Sequence, residues 1–96
     1  MLVSASMAGC VKAERPTLLV FTASWCGECH KQMPFINAIA QSGQAEVVVI
    51  DYDARPDLVI ENSVVLLPTY ILKVGGVEQW RTNSGEQAYY WTIGRQ

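Results

Sequence analysis

The stretch Thr17-Leu18-Leu19-Val20-Phe21-Thr22-Ala23-Ser24-Trp25-Cys26-Gly27-Glu28-Cys29 decides the fold. Its first part, Thr17 to Phe21, is a continuous apolar run without alternation, the pattern of a strand buried on both faces. Ala23-Ser24-Trp25 leads from that strand into a helix expected to begin near Cys26 and end near Gly43. Cys29, Met33, Ile36 and Ala40 fall at i, i+4, i+7 and i+11 and form one apolar stripe. Pro34 inside this helix removes an amide donor and crowds the preceding turn, so a kink or local break is expected there.

Outward from this unit the chain continues to alternate short strands with helices. Glu46 to Asp51 reads as a second buried strand, and Pro56 to Asn62 as a short helix started by its proline. Thr69 to Val74 is a third strand, Gly75-Gly76 a hairpin signal, and Val77 to Arg81 its antiparallel partner. Glu86 to Ile93 closes the chain as a short helix rich in aromatics. Upstream, Val3, Met7, Cys10 and Val11 recur at helical spacing, which predicts a first helix with one buried face. Parallel strands first and a hairpin last imply an α/β fold, a mixed sheet with helices on both faces.

The 96 residues suit one domain, 1–96, and half of them are hydrophobic, enough to bury a core. A net charge of −2 gives no reason to expect nucleic acid or an acidic membrane as partner. No stretch approaches the roughly 18 uncharged apolar residues that span a bilayer. Met7-Ala8-Gly9-Cys10 is loosely similar to a lipoprotein cleavage box, but no basic segment precedes it and Ser4 and Ser6 interrupt the apolar part. A cytoplasmic location is therefore expected, with export and a lipid anchor at Cys10 as the alternative.

Two of the three cysteines form Cys26-x-x-Cys29, which in a strand–helix context reads first as a redox pair. Three positions apart on a first helical turn, they lie close enough for a disulfide. Cys26 sits where free amides favour a negative sulfur, whereas Cys29 opens the buried stripe and is held as a thiol. Disulfide exchange needs that asymmetry, one sulfur to attack and its neighbour to resolve. Glu28 opposes thiolate formation and a protonated His30 favours it, so both are candidates for tuning. Metal binding is the rival chemistry, since Cys10, Cys26, Cys29 and His30 are all ligand types. It lacks a second ligand pair at comparable spacing, and no metal is expected.

Trp25-Cys26-Gly27-Glu28-Cys29 resembles the W-C-G-P-C signature of the thioredoxin family, with Glu28 in place of proline. Phe21 and Ala23 precede the motif as in that family, Pro34 matches its helix-kinking proline, and Gly75-Gly76 its final hairpin. Leu67-Pro68-Thr69 matches a segment whose proline is cis in thioredoxins and faces the cysteine pair. The resemblance implies a thioredoxin-like fold with about four strands, lacking the family's first edge strand. It implies catalysis by Cys26 and Cys29, with Trp25, Gly27, Leu67 and Pro68 contacting substrate. Two departures stand out: Val20 occupies the place of the family's buried aspartate, and Val49 that of the lysine often paired with it.

The function expected is therefore a thiol–disulfide oxidoreductase, a monomer that reduces protein disulfides and is recharged by an electron-donating reductase. No cofactor is expected beyond the Cys26–Cys29 couple. The alternatives are an exported thiol oxidase or isomerase, or a non-catalytic binding protein on the same scaffold.

Overall fold

The apolar run of the opening stretch forms strand β1 (Thr17–Thr22), at an inner position of a four-stranded sheet in a computed structural model that describes residues 15–94. Strand β2 (Glu46–Asp51) lies parallel to it, with Thr17 opposite Glu46 and Thr22 opposite Asp51. On its other side β3 (Thr69–Val74) runs antiparallel, with Leu19 opposite Ile71 and Val20 opposite Tyr70. Strand β4 (Val77–Thr82) completes the order β2-β1-β3-β4, joined to β3 by Gly75 and Gly76, both at positive φ. Successive left-handed residues are the requirement of a tight hairpin turn, and only glycine meets it without steric cost.

The helix after Trp25 is two helices. Helix α1 (Gly27–Lys31) stops at Gln32, and α2 (Met33–Ser42) starts again with Pro34 in its first turn, where a missing amide costs nothing. Cys29, Ile36 and Ile39 are buried, whereas Ala40, expected on the apolar stripe, is exposed. Helix α3 (Pro56–Glu61) packs on the opposite face of the sheet, and α4 (Gly85–Tyr89) continues into a wider π-helical turn at Tyr90–Gly94. Ser84 caps α4 by accepting the amide of Gln87 at 3.1 Å.

Alternation along β1 divides the core. Leu18 and Val20 face α2 and α4 with Tyr70, Ile36, Ile39 and Ala88. Phe21 faces α3 with Ile50, Ile71, Val59 and Val64. Each such side chain contributes about 1.5–3 kcal/mol by leaving water. The second strand departs from expectation. Although Val47-Val48-Val49-Ile50 is apolar throughout, β2 is an edge of the sheet among the described residues, and Val49 is 54% exposed. An apolar run marks a strand but does not separate an inner position from an edge. The first helix expected around Val3 to Val11, with Cys10, lies outside the described residues.

Candidate active site

Strand β1 ends in a turn that delivers the cysteine pair, closed by the Cys26 amide donating to the Ala23 carbonyl at 3.1 Å. Cys26 is the extended N-cap of α1, and its Sγ accepts the amide of Cys29 at 3.1 Å. The two cysteines are joined as a disulfide with their Cα atoms 5.3 Å apart. Cys29 is buried at 1% exposure and Cys26 only slightly less, at 7%, so the two differ more in backbone position than in cover. Ala23 packs beside them, with Leu67 against the cluster.

Leu67 comes from the loop before β3, where the Leu67–Pro68 peptide bond is cis and Pro68 is buried. Asn83 anchors this loop by donating from Nδ2 to the Pro68 carbonyl at 3.0 Å and to Thr69 Oγ1 at 3.1 Å. The Thr69 hydroxyl in turn donates to the Leu66 carbonyl. Among the described residues no hydrogen bond engages the amide or carbonyl of Leu67. The structure thus brings Leu67, the residue before Pro68, against Cys26 and Cys29 from a chain segment about forty residues away.

Trp25 projects outward, 63% exposed. Its indole is nonetheless fixed, donating from Nε1 to Asp53 Oδ2 at 2.7 Å and meeting Tyr52 edge-on at 6.2 Å. Sequence alone leaves Asp51 and Asp53 as solvated loop acids. Both are exposed, and Asp53 in addition anchors Trp25, while Asp51 Oδ1 accepts the Asp53 amide at 3.1 Å. Exposed Gly27 opens α1. His30 is exposed with its ring Nε2 2.9 Å from the Ser24 carbonyl, tied to the turn that carries the motif. Among the described residues no group of three His, Cys, Asp or Glu side chains could hold a metal ion.

The sequence model of the family described as Thioredoxin matches residues 2–89. The chain belongs to the thioredoxin family. It is 38% identical over 68 residues to the bifunctional thioredoxin reductase/thioredoxin of Mycobacterium leprae, covering 69% of this chain and 15% of that protein. It is 36% identical over 67 residues to a thioredoxin of Streptomyces clavuligerus, covering 69% of this chain and 63% of the relative. The chain therefore matches less than two thirds of the length of either. The solved thioredoxin of Fasciola hepatica superposes with a TM-score of 0.77 at 26% identity, covering 96% of this chain and 92% of that one.

Against this thioredoxin frame two residues that sequence reasoning missed, Tyr70 and Gln32, stand out beside Val20. Val20, where the family's buried aspartate is expected, is fully buried and opposite Tyr70 in the sheet. The Tyr70 hydroxyl does not stay unpaired there: it donates to Gln32 Oε1 at 2.6 Å. The Gly85 amide donates to the same oxygen at 2.6 Å, and Gln32 Nε2 donates to Glu28 Oε2 at 3.1 Å. Burial pushes the Tyr70 hydroxyl up to about 12, with the negative field of Glu28 acting in the same sense. The available signal was a glutamine at the junction before Pro34 and a tyrosine among the apolar residues at the centre of a strand, each in need of a buried partner.

Proposed function

We propose that this thioredoxin-family chain is a thiol–disulfide oxidoreductase that reduces protein disulfides, with Cys26 attacking and Cys29 resolving. The observation that carries the reading is Cys26 Sγ at the start of α1, accepting the Cys29 amide and already bonded to Cys29 as a disulfide. An amide aimed at the sulfur stabilises its thiolate, and a second sulfur in bonding reach completes the exchange. In the first step the Cys26 thiolate attacks one sulfur of the substrate disulfide, whose bond breaks and releases a substrate thiolate that takes up a proton. In the second, Cys29 loses its proton and attacks Cys26 Sγ, the mixed disulfide breaks, and the second substrate thiol leaves. Two electrons have passed to the substrate, and the oxidised Cys26–Cys29 pair remains. With Val20 in the aspartate position and the Glu28 carboxylate bonded to Gln32, water takes the Cys29 proton.

The substrate lies as an extended segment against the free Leu67 amide and carbonyl, over Gly27 and Pro68 and beside the fixed Trp25 ring. Glu28 and His30 tune the couple. Electrons return from a reductase; a relative named as a bifunctional thioredoxin reductase/thioredoxin supports a donor of that class. The redox centre is the cysteine pair, with no added cofactor. Residues 1–96 work as one monomeric domain in the cytoplasm, without a nucleic acid or membrane partner; among the described residues no helix is long and apolar enough to cross a membrane.

The test is equilibration of the Cys26–Cys29 couple against glutathione and dithiothreitol buffers, with turnover of a protein disulfide by wild type, Cys26→Ser and Cys29→Ser. The expected potential is about −270 mV, well below that of strong oxidants at about −120 mV. Cys26→Ser abolishes turnover and Cys29→Ser accumulates the mixed disulfide. A potential above that of glutathione replaces the reductase with an oxidase or isomerase, and turnover that survives Cys26→Ser removes the cysteine mechanism.

A further inference from the structure

The hydrogen bonds around Gln32 have one direction. A backbone amide can only donate, so the atom 2.6 Å from the Gly85 nitrogen is the amide oxygen of Gln32. The Tyr70 hydroxyl, kept protonated by its burial, donates to the same oxygen and occupies its second lone pair. Gln32 Nε2 is thereby turned toward Glu28. Gly85 is required for this closure: a Cβ there would stand 2.8 Å from both Gln32 Oε1 and the Tyr70 hydroxyl. Gln32 is thus held by β3 on one side and the start of α4 on the other, and it holds Glu28.

Glu28 lies between the two cysteines, in the turn whose Cys29 amide donates to Cys26 Sγ. A carboxylate free to swing toward that sulfur would repel its thiolate. Gln32 lies one turn further along, so its bond draws the carboxylate away from the sulfur-bearing end of α1. Of the other charged or titratable groups around the turn, Lys31 is exposed at the far end of α1. The His30 ring is at the Ser24 carbonyl, and the Asp53 carboxylate from the loop after β2 accepts the Trp25 indole.

We propose that Gln32 is a positioning residue for the Cys26 thiolate: clamped by Tyr70 and Gly85, it holds the Glu28 carboxylate away from the attacking sulfur. The inference rests on Cys26 being that sulfur. The gain is the like-charge repulsion avoided, which for exposed pairs amounts to about a two- to fivefold change in the thiolate equilibrium.

The experiment is a pH titration of the reduced protein, by thiolate absorbance and by iodoacetamide alkylation with mass mapping of the modified cysteine. It compares wild type, Glu28→Gln, Gln32→Met and the double variant. Gln32→Met should raise the Cys26 midpoint, cutting the thiolate fraction below that midpoint about two- to fivefold. Glu28→Gln in the native background should move it by less than about twofold, because the carboxylate is already held off. In the Gln32→Met background the same substitution should restore the lost thiolate. An equal shift from Gln32→Met with or without Glu28 assigns Gln32 a packing role and overturns the proposal. So does an unmoved midpoint, or a native-background Glu28→Gln effect as large as that expected for Gln32→Met. If Gln32→Met does not fold, Gly85→Ala opens the clamp from the α4 side and is judged by the same criteria. Alkylation that maps to Cys29 overturns the assignment of Cys26, and the clamp with it; an unmoved midpoint on Cys26 overturns the clamp alone.

Discussion

The two faces of the sheet are both buried, but they differ at their centres. Against α3, Phe21, Ile50, Ile71, Val59 and Val64 meet as hydrocarbon, and polar groups enter only at the rim. There Lys73 Nζ donates to Asn62 Oδ1 at 2.8 Å and Arg81 Nη2 to the Asn62 carbonyl at 3.0 Å. Against α2 and α4, Leu18, Val20, Ile36 and Ile39 surround a tyrosine whose hydroxyl is bonded to Gln32. A buried hydroxyl costs free energy unless it is paired, and when paired it selects one arrangement of its neighbours. The apolar face therefore holds the fold together, whereas the mixed face fixes where the cysteine-bearing turn sits. Stability and positioning are supplied from opposite sides of the same strand.

Substitution on the apolar face should give the largest effect on stability. Phe21→Ala removes a fully buried ring and should cost about 3–5 kcal/mol, read as a lower urea midpoint with an unchanged slope. The reduced, still-folded protein should keep the Cys26 titration of wild type. A shifted titration would mean that the two faces are not separable.

Tyr70→Phe breaks the comparison from the other side. It removes one bond and little volume, so the expected cost at neutral pH is about 1 kcal/mol. Its signature is in alkali. A tyrosine titrates near 10 in the unfolded chain and at about 12 here. The folded state then binds the proton more tightly, so this contribution is complete below about pH 10 and is lost as pH rises through about 12. Wild type should lose on the order of 2 kcal/mol more than Tyr70→Phe over that interval, measured by urea titration at fixed pH values. Parallel pH profiles for the two proteins would show that the hydroxyl is not held by the fold.

The mixed face also marks where sequence reading stops. The cysteine pair, Pro34 and Leu67-Pro68-Thr69 are local patterns, each carrying its own geometric requirement, and the structure packs Leu67, joined to Pro68 by a cis bond, against Cys26 and Cys29. Ile39 takes the buried place expected for Ala40: the two lie three and four positions beyond Ile36 in α2, and helical spacing admits either. Val49 reads as core from its neighbours and is exposed because strand order is a property of the whole sheet. The side-chain contacts of the mixed face are not local patterns: Gln32 meets Tyr70 across 38 positions and Gly85 across 53. Asp53 likewise meets Trp25 across 28, in a loop whose composition alone reads as solvent-facing. Polar residues announce a need for a partner but not its address.

Asp53 sharpens the comparison with the smallest expected change in stability. Its bond to Trp25 is a polar contact like that of Tyr70 with Gln32, but it lies at the surface, where water competes for both partners. Asp53→Ala should therefore stay within about 0.5 kcal/mol of wild type. Asp53 positions a ring on the proposed substrate surface, so the effect should appear in binding rather than folding. Trp25 loses its anchor, its fluorescence anisotropy falls, and KM for a protein disulfide rises while kcat changes little. Asp53→Asn, which keeps an oxygen acceptor, should recover most of the anisotropy and the KM. If Asp53→Ala instead destabilises the protein as much as Tyr70→Phe, the surface bond belongs to the fold. The division between a supporting core and a positioned active surface would then have to be drawn one layer further out.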